Sequence, residues 1–281
     1  MTIVVTGATG PFGRTAIESL LRRGVPAGQI VAVGRSVEKA KDLGERGVVV
    51  KSASYDDPAS LREAFAGADK LLFVSGSEVG RRVEQHQNVV DAAKAAGISK
   101  IVYTSAPHAD TSDMILAGEH VATERALIAS GIPSVFLRNG WYIENYNLPT
   151  ALDHGLTGAA GEGKISIVPR AELAEAAAAA IHADGVEQQV YELGGEGVTL
   201  GELAAEVSRQ SGREVTYTNL SPQDYTEFLV KVGLPSEAAA VFADSDRAAA
   251  NGALFTGTED LQKLLGRPVT PIAEVVRGAL A

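Results

Sequence analysis

Cysteine is absent from all 281 residues, which excludes disulfides, thiolate catalysis, iron–sulfur clusters and cysteine-based zinc sites. Histidine is sparse: His86, His108, His120, His154 and His182 form no His-x-x-x-His or other compact ligand set, so no metal is expected. No apolar run approaches the roughly 20 residues needed to cross a bilayer, and no membrane insertion is expected. The chain begins directly on a strand pattern without a signal peptide, so a cytoplasmic location is the expectation. Positive charge is also short. The formal net charge of -10 and pI of about 5.1 argue against nucleic acid as a partner. An anionic ligand would need cations placed locally. Hydrophobic residues, at 45%, suffice for a sizeable core.

Against these absences stands one concentrated feature. An apolar strand, Ile3-Val4-Val5, runs straight into Gly7-Ala8-Thr9-Gly10-Pro11-Phe12-Gly13 and then a helix pattern. The first glycine lets the strand turn sharply, the second lets backbone approach a pyrophosphate, and the third lets helix and strand pack closely. The free N–H groups of the following helix, and its dipole, favour phosphate there. The spacing is Gly-x-x-Gly-x-x-Gly rather than the commoner Gly-x-Gly-x-x-Gly of dinucleotide sites.

The rest of the first half alternates strand and helix. Strands are expected at Ile3–Thr6, Ile30–Val33, Val48–Lys51, Leu71–Val74, Ile101–Thr104 and Ser134–Leu137. Helices are expected at Phe12–Arg23, Glu38–Leu43, Leu61–Phe65, Val83–Ala96 and Ile115–Ser130. This reads as α/β, a Rossmann-like doubly wound parallel sheet covered on both faces. The second half is less regular. A helix is expected to begin at Trp141–Tyr146, strands at Ile165–Val168, Val190–Leu193 and Glu214–Thr218, and an alanine-rich helix at Glu172–Ile181. Further helices are expected at Leu200–Gln210, Tyr225–Val232, Ser236–Phe242, Glu259–Leu265 and Pro271–Leu280. The expected layout is a nucleotide-binding domain over 1–195, with 141–166 contributing to the cleft, and a smaller, mostly helical lobe over 196–281.

The second strand indicates which dinucleotide. NAD sites place an acid at its end to bond the ribose 2′-hydroxyl. Here the strand ends Val33-Gly34-Arg35-Ser36, with Lys39 one turn on, so an acid is missing and two cations are present. Arg35 can make a planar contact to a 2′-phosphate and Lys39 can add a point charge, which favours NADPH. Ser75-Gly76-Ser77 ends the fourth strand with small residues where the chain passes the middle of the cofactor. Tyr103-Thr104-Ser105 ends the fifth on the same sheet edge.

Several runs carry a resemblance. The glycine loop, Asn88–Gly97, Thr123-Glu124, Ser77–Gly80, His108–Ser112, Arg138–Tyr142, Glu144–Tyr146, Gly158–Gly161 and Ala243–Asp246 are similar to those of NmrA-like atypical short-chain dehydrogenases/reductases. Within that family the chain resembles the bacterial flavin-independent quinone reductases. The resemblance implies that Gly7, Thr9, Gly10, Pro11, Phe12, Gly13 and Arg35 hold NADPH and that Ser75, Gly76 and Ser77 lie along it. It also implies that Asn139, Gly140, Trp141 and Tyr142 sit by the nicotinamide. One departure is Ser54-Tyr55-Asp56-Asp57, where the family pattern often has an acid in place of Ser54.

Ordinary short-chain dehydrogenases use a Tyr-x-x-x-Lys pair, the tyrosine giving a proton to the carbonyl oxygen. With Glu124 as register mark, those positions are Leu116 and His120 here. No catalytic acid is therefore assigned, which counts against alcohol or ketone chemistry. A quinone needs less: hydride addition gives a stabilised hydroquinone anion, and water can protonate it. The protein must orient the ring. Asn139, Tyr142 and His108 are the substrate-side donors expected, Trp141 an apolar wall, and Arg170 a further candidate for the cleft. The alternative from another class is a non-catalytic NADP(H) sensor acting on a protein partner, which the missing pair fits equally.

Overall fold

The computed structural model describes residues 1–185 and 189–281. Strand and helix alternate through β1 (Ile3–Val5), α1 (Pro11–Arg22), β2 (Ile30–Gly34), α2 (Lys41–Glu45), β3 (Val49–Ser52) and α3 (Pro58–Phe65). The alternation continues through β4 (Lys70–Phe73), α4 (Arg82–Ala96), β5 (Lys100–Ser105), α5 (Ile115–Ser130) and β6 (Ser134–Asn139). Then come β7 (Trp141–Tyr142), α6 (Leu148–His154), β8 (Leu156–Gly158), β9 (Ile165–Val168), α7 (Arg170–His182), β10 (Val190–Leu193) and β11 (Gly197–Val198). The chain ends with α8 (Leu200–Ser211), β12 (Tyr217–Asn219), α9 (Pro222–Lys231), α10 (Ser236–Ala249), α11 (Glu259–Leu265) and α12 (Ile272–Leu280).

The main sheet has seven strands in the order β10-β6-β5-β4-β1-β2-β3. The pairs β1–β2, β1–β4, β2–β3 and β4–β5 are all parallel, as expected of a Rossmann-like fold. The order reverses between β1 and β4, and such a switch point, at the carboxyl ends of the strands, is where open α/β sheets bind ligands. No helix among the described residues is long and apolar enough to cross a membrane.

Contacts divide the chain into two compact units, Met1–Ser105 with Glu119–Leu137 and Ala171–Tyr191, and Ala106–Gly118 with Arg138–Arg170 and Glu192–Ala281. The expected single boundary at 195–196 thus differs from the observed division, because the chain passes between the units several times. In the first unit Phe65, Phe73, Tyr103 and Phe136 are buried among the aliphatic residues of β1, β2 and β4. Lys70 and Lys100, buried at the starts of β4 and β5, donate to the last carbonyls of α7 and its exit. Lys70 Nζ lies 3.2 Å from the Ile181 oxygen and Lys100 Nζ 2.8 Å from that of Ala180. Two cations thereby satisfy carbonyls that a helix end leaves unpaired.

The second unit is built on β9, which pairs in parallel with β7 and antiparallel with β11. Ile143, Leu156, Ile165, Ile167, Leu203, Val207, Leu254 and Val276 form its core. The expected helix from Trp141 is corrected here: Trp141-Tyr142 is a strand, and Ile143–Asn145 a single 3-10 turn. The preceding Gly140 donates to the Leu193 carbonyl at 2.6 Å, which fixes an extended entry, and the pairing partner lies some two dozen residues away. The expected helix at Glu38–Leu43 divides into a 3-10 turn, Val37–Ala40, and α2. The strand expected at Glu214–Thr218 forms at Tyr217–Asn219, against β8.

Asp246, on α10, is 3% exposed and accepts the Ala159 N–H at 2.8 Å. Burial holds its carboxyl up at about 6, well above the ordinary range, with the Ala159 bond acting the other way. As pH rises from about 4 to 6, the unfolded chain therefore loses this proton before the folded one, and this group disfavours folding increasingly. Asp246→Asn keeps an acceptor for Ala159 and removes that penalty. Its stability relative to the parent, measured by urea denaturation, should be lowest near pH 4 and rise by up to about 3 kcal/mol by pH 7. A pH-independent difference would contradict this account.

Candidate functional site

The first unit holds the glycine loop and the cations after β2. At Gly7 the backbone is left-handed, with φ of 62°, so the turn off β1 needs glycine. A Cβ on Gly13 would fall 2.5 Å from the Gly7 carbonyl oxygen, so α1 lies directly against the loop. Gly10 is the N-cap of α1 and Pro11 its first residue. Among the described residues no side chain caps the helix, and no acid occupies its first turn. The loop is clamped on both sides: Ala8 N–H donates to the Val33 carbonyl at 3.0 Å and Thr6 N–H to that of Leu72 at 3.1 Å. Thr9 packs over Gly34, where a Cβ would meet its methyl at 2.7 Å.

Arg35 is exposed, and its Nη1 donates to Glu78 Oε1 at 2.8 Å. Lys39 is also exposed. Its carbonyl accepts from Arg14, which in turn holds Asp42 at 2.6 Å and keeps that carboxyl below its usual range.

The 75–77 turn is pinned at Ser75 and Gly76. Ser75 N–H donates to Thr104 Oγ1 at 2.8 Å, Gly76 N–H to His86 Nε2 at 2.9 Å, and Arg82 Nε to the Gly76 carbonyl at 2.7 Å. Since His86 Nε2 accepts, Nδ1 bears the proton and donates to Thr123 Oγ1 at 2.8 Å. Burial, and then Arg82, lower the His86 pKa to about 3, so the ring is neutral. No local sequence signal marks His86, ten residues past the glycine it holds. In the departing run, Ser54 Oγ accepts the Asp56 N–H at 3.3 Å, Tyr55 donates to the Val74 carbonyl at 2.6 Å, and Asp57 caps α3. Ser54 is a turn residue.

His120, at the position of the missing lysine, is buried with Nδ1 at 2.7 Å from the Tyr103 hydroxyl. Burial pushes its pKa well below the usual histidine range. Leu116 has no proton to give. No acid–base pair replaces Tyr-x-x-x-Lys at these positions.

The second unit carries Asn139, Gly140, Trp141, Tyr142, Arg170 and His108. Arg138, buried, reaches Asp110 at 2.7 Å and Glu192 at 3.1 Å and so anchors the strand end just before Asn139. Asn139 is 6% exposed. Its Nδ2 donates to the Tyr142 hydroxyl at 3.4 Å, while its Oδ1 is buried without a partner among the described residues. The Arg170 guanidinium lies 5.2 Å from the Tyr142 ring centre, and Arg170 N–H donates to the Glu144 carboxylate. Burial raises the Tyr142 pKa, with Asn139 and Arg170 opposing it, so the hydroxyl keeps its proton near neutrality. Trp141 meets Phe242 edge-on at 6.0 Å. His108 is left-handed at φ of 49°. Its Nε2–H donates to the Phe255 carbonyl at 2.9 Å and its backbone N–H to Glu192 at 3.1 Å. Among the described residues, no group of three or more acidic or histidine side chains is arranged to hold a metal ion.

The family model for the NmrA-like family matches residues 1–265. Quinone oxidoreductase 2 of Escherichia coli (strain K12) is 51% identical over 278 residues, 98% of this chain and 97% of the relative. The crystal structure of the Escherichia coli NADPH-dependent quinone oxidoreductase QOR2 complexed with NADPH superposes with a TM-score of 0.95 at 50% identity over all of both chains. Citrobacter sp. triphenylmethane reductase complexed with NADP(H) gives 0.93 at 40% identity over 99% of this chain and 100% of that one.

The loop geometry makes its own prediction. Gly13→Ala should drive α1 away from Gly7 and cost on the order of 1–3 kcal/mol, measured by chemical denaturation. Gly28→Ala, where a Cβ meets nothing within 4 Å, should change stability by less than about 0.5 kcal/mol. Equal effects would contradict the packing argument.

Proposed function

Because this chain belongs to the NmrA-like family, we propose that it is an NADPH-dependent quinone oxidoreductase that works without flavin, by direct hydride transfer. What carries the reading is the likeness to the Escherichia coli quinone oxidoreductase over almost the whole of both chains. The chain's own residues fit the coenzyme. A left-handed Gly7, an uncapped α1 and a buried, partnerless Asn139 Oδ1 offer donors to phosphate and an acceptor to a ligand N–H. When bound, NADPH supplies the hydride.

The protein's part is binding and orientation. Gly7, Thr9, Gly10, Pro11, Phe12 and Gly13 hold the pyrophosphate, Arg35 and Lys39 the 2′-phosphate, and Ser75, Gly76 and Ser77 the middle of the coenzyme. Asn139, Gly140, Trp141, Tyr142 and Arg170 serve the nicotinamide and substrate side. Tyr142 keeps its proton and donates a hydrogen bond to a quinone oxygen, which steadies charge there without a transfer. His108, its Nε2–H committed to Phe255, has only Nδ1 to offer a substrate. The hydroquinone anion takes its proton from water. The cytoplasm, where reduced nicotinamide is available, is the location we assign.

Arg35→Glu should raise the KM for NADPH by on the order of 10- to 100-fold and leave that for NADH within a few-fold, in a steady-state assay with 1,4-benzoquinone. Equal effects on both coenzymes would remove Arg35 from 2′-phosphate recognition. Tyr142→Phe should lower kcat/KM for the quinone by roughly 10-fold while the protein stays folded, with a modestly lower melting temperature because the Asn139 amide loses its acceptor. An unchanged rate would make the hydroxyl structural.

A further inference from the structure

Glu78 has no part in the site as drawn above, yet it occupies the cation meant for the coenzyme. Its Oε1 accepts from Arg35 Nη1 at 2.8 Å, and its Oε2 from the buried Gln85 Nε2 at 3.0 Å. The turn that carries it is fixed on both sides. Gly76 is held by His86 and Arg82, and Gly80, left-handed at φ of 82°, donates its N–H to Glu119 Oε1 at 2.7 Å. Glu119 in turn pairs with the buried Arg82 at 2.6 Å. The carboxylate therefore sits on a constrained element rather than on a free loop.

A carboxylate at this place does two things to an adenosine ribose. It competes with a 2′-phosphate for Arg35 and repels it, and it offers an acceptor to a free 2′-hydroxyl, the contact by which NAD sites read their coenzyme. In those sites the acid ends the second strand; here it arrives from the turn after β4 and faces Arg35. We infer that Glu78 is a specificity-determining residue that narrows the preference for NADPH over NADH by occupying Arg35 and by accepting from the 2′-hydroxyl. The inference rests on the reading of Arg35 under Proposed function. Because Arg35 and Glu78 are 67% and 38% exposed, solvent screens the pair and the effect is moderate.

The test is calorimetric binding of 2′,5′-ADP and of 5′-AMP to the full chain and to Glu78→Gln, with Glu78→Ala as a second variant and thermal melts of each. Glu78→Gln should bind 2′,5′-ADP about 3- to 10-fold tighter and 5′-AMP no tighter. The ratio of kcat/KM for NADPH to that for NADH should rise by a similar factor. Folded variants with an unchanged or smaller preference for the 2′-phosphate would overturn the role of Glu78 while leaving Arg35 in place. If the parent chain itself failed to distinguish the two nucleotides, and Arg35→Glu were equally silent, the Arg35 reading would fall and this inference with it.

Discussion

The contact of Gly13 with the Gly7 carbonyl sets the shape of the loop to which the pyrophosphate is assigned under Proposed function. With no room for a Cβ there, α1 starts hard against the end of β1, and its uncapped N-terminus is delivered at the point where the strand order reverses. Thr6 and Ala8 tie the same turn to β4 and β2, so its shape is held by two neighbouring strands as well as by the loop's own glycines. A helix dipole attracts phosphate with little demand on local geometry; the free N–H groups do so only if the loop is held in shape. Packing at one glycine thus precedes the electrostatics.

A second constraint lies one strand over. Tyr55, Phe73, His86, Tyr103 and His120 form a chain of ring contacts beneath the carboxyl ends of β4 and β5. Two of its members are histidines, and desolvation keeps both uncharged. They act as hydrogen-bond connectors, His86 joining Gly76 to Thr123 and His120 meeting Tyr103. The helix face that carries proton chemistry in ordinary short-chain dehydrogenases is used here to hold the turn after β4. This agrees with a reaction that asks the protein for orientation and not for a proton.

The sheet was legible in the sequence because its strands are short apolar runs separated by good helix starts, and each could be read locally. The roles of two of the three glycines were legible for the same reason: Gly7 takes the left-handed turn and Gly13 the close contact. What could not be read is long-range. Trp141-Tyr142 resembles the start of a helix until β9 is present to pair with it. His86 and Glu78 acquire their meaning from Gly76 and Arg35, 10 and 43 positions away, and no periodicity marks such partners. Asp246 likewise looks like one more acid on a helix until Ala159 and the surrounding tyrosines remove it from water.

The two-residue strand β7 shows how little sequence a functional assignment can turn on. Adjacent residues of a strand point to opposite faces, so Trp141 and Tyr142 must have different neighbours. Trp141 goes to Phe242 and the core of the second unit, which gives its ring a structural purpose independent of any substrate. Tyr142 goes to Asn139 and lies under Arg170. Burial alone would raise its pKa further; the guanidinium and the amide limit the rise without reversing it. The outcome is a phenol that holds its proton and has one acceptor-filled side. Its remaining capacity is as a donor, and a donor suits the oxygen of a quinone better than a base would. Had this stretch formed the helix its sequence resembles, the alternation that sends Trp141 and Tyr142 to opposite faces would be lost.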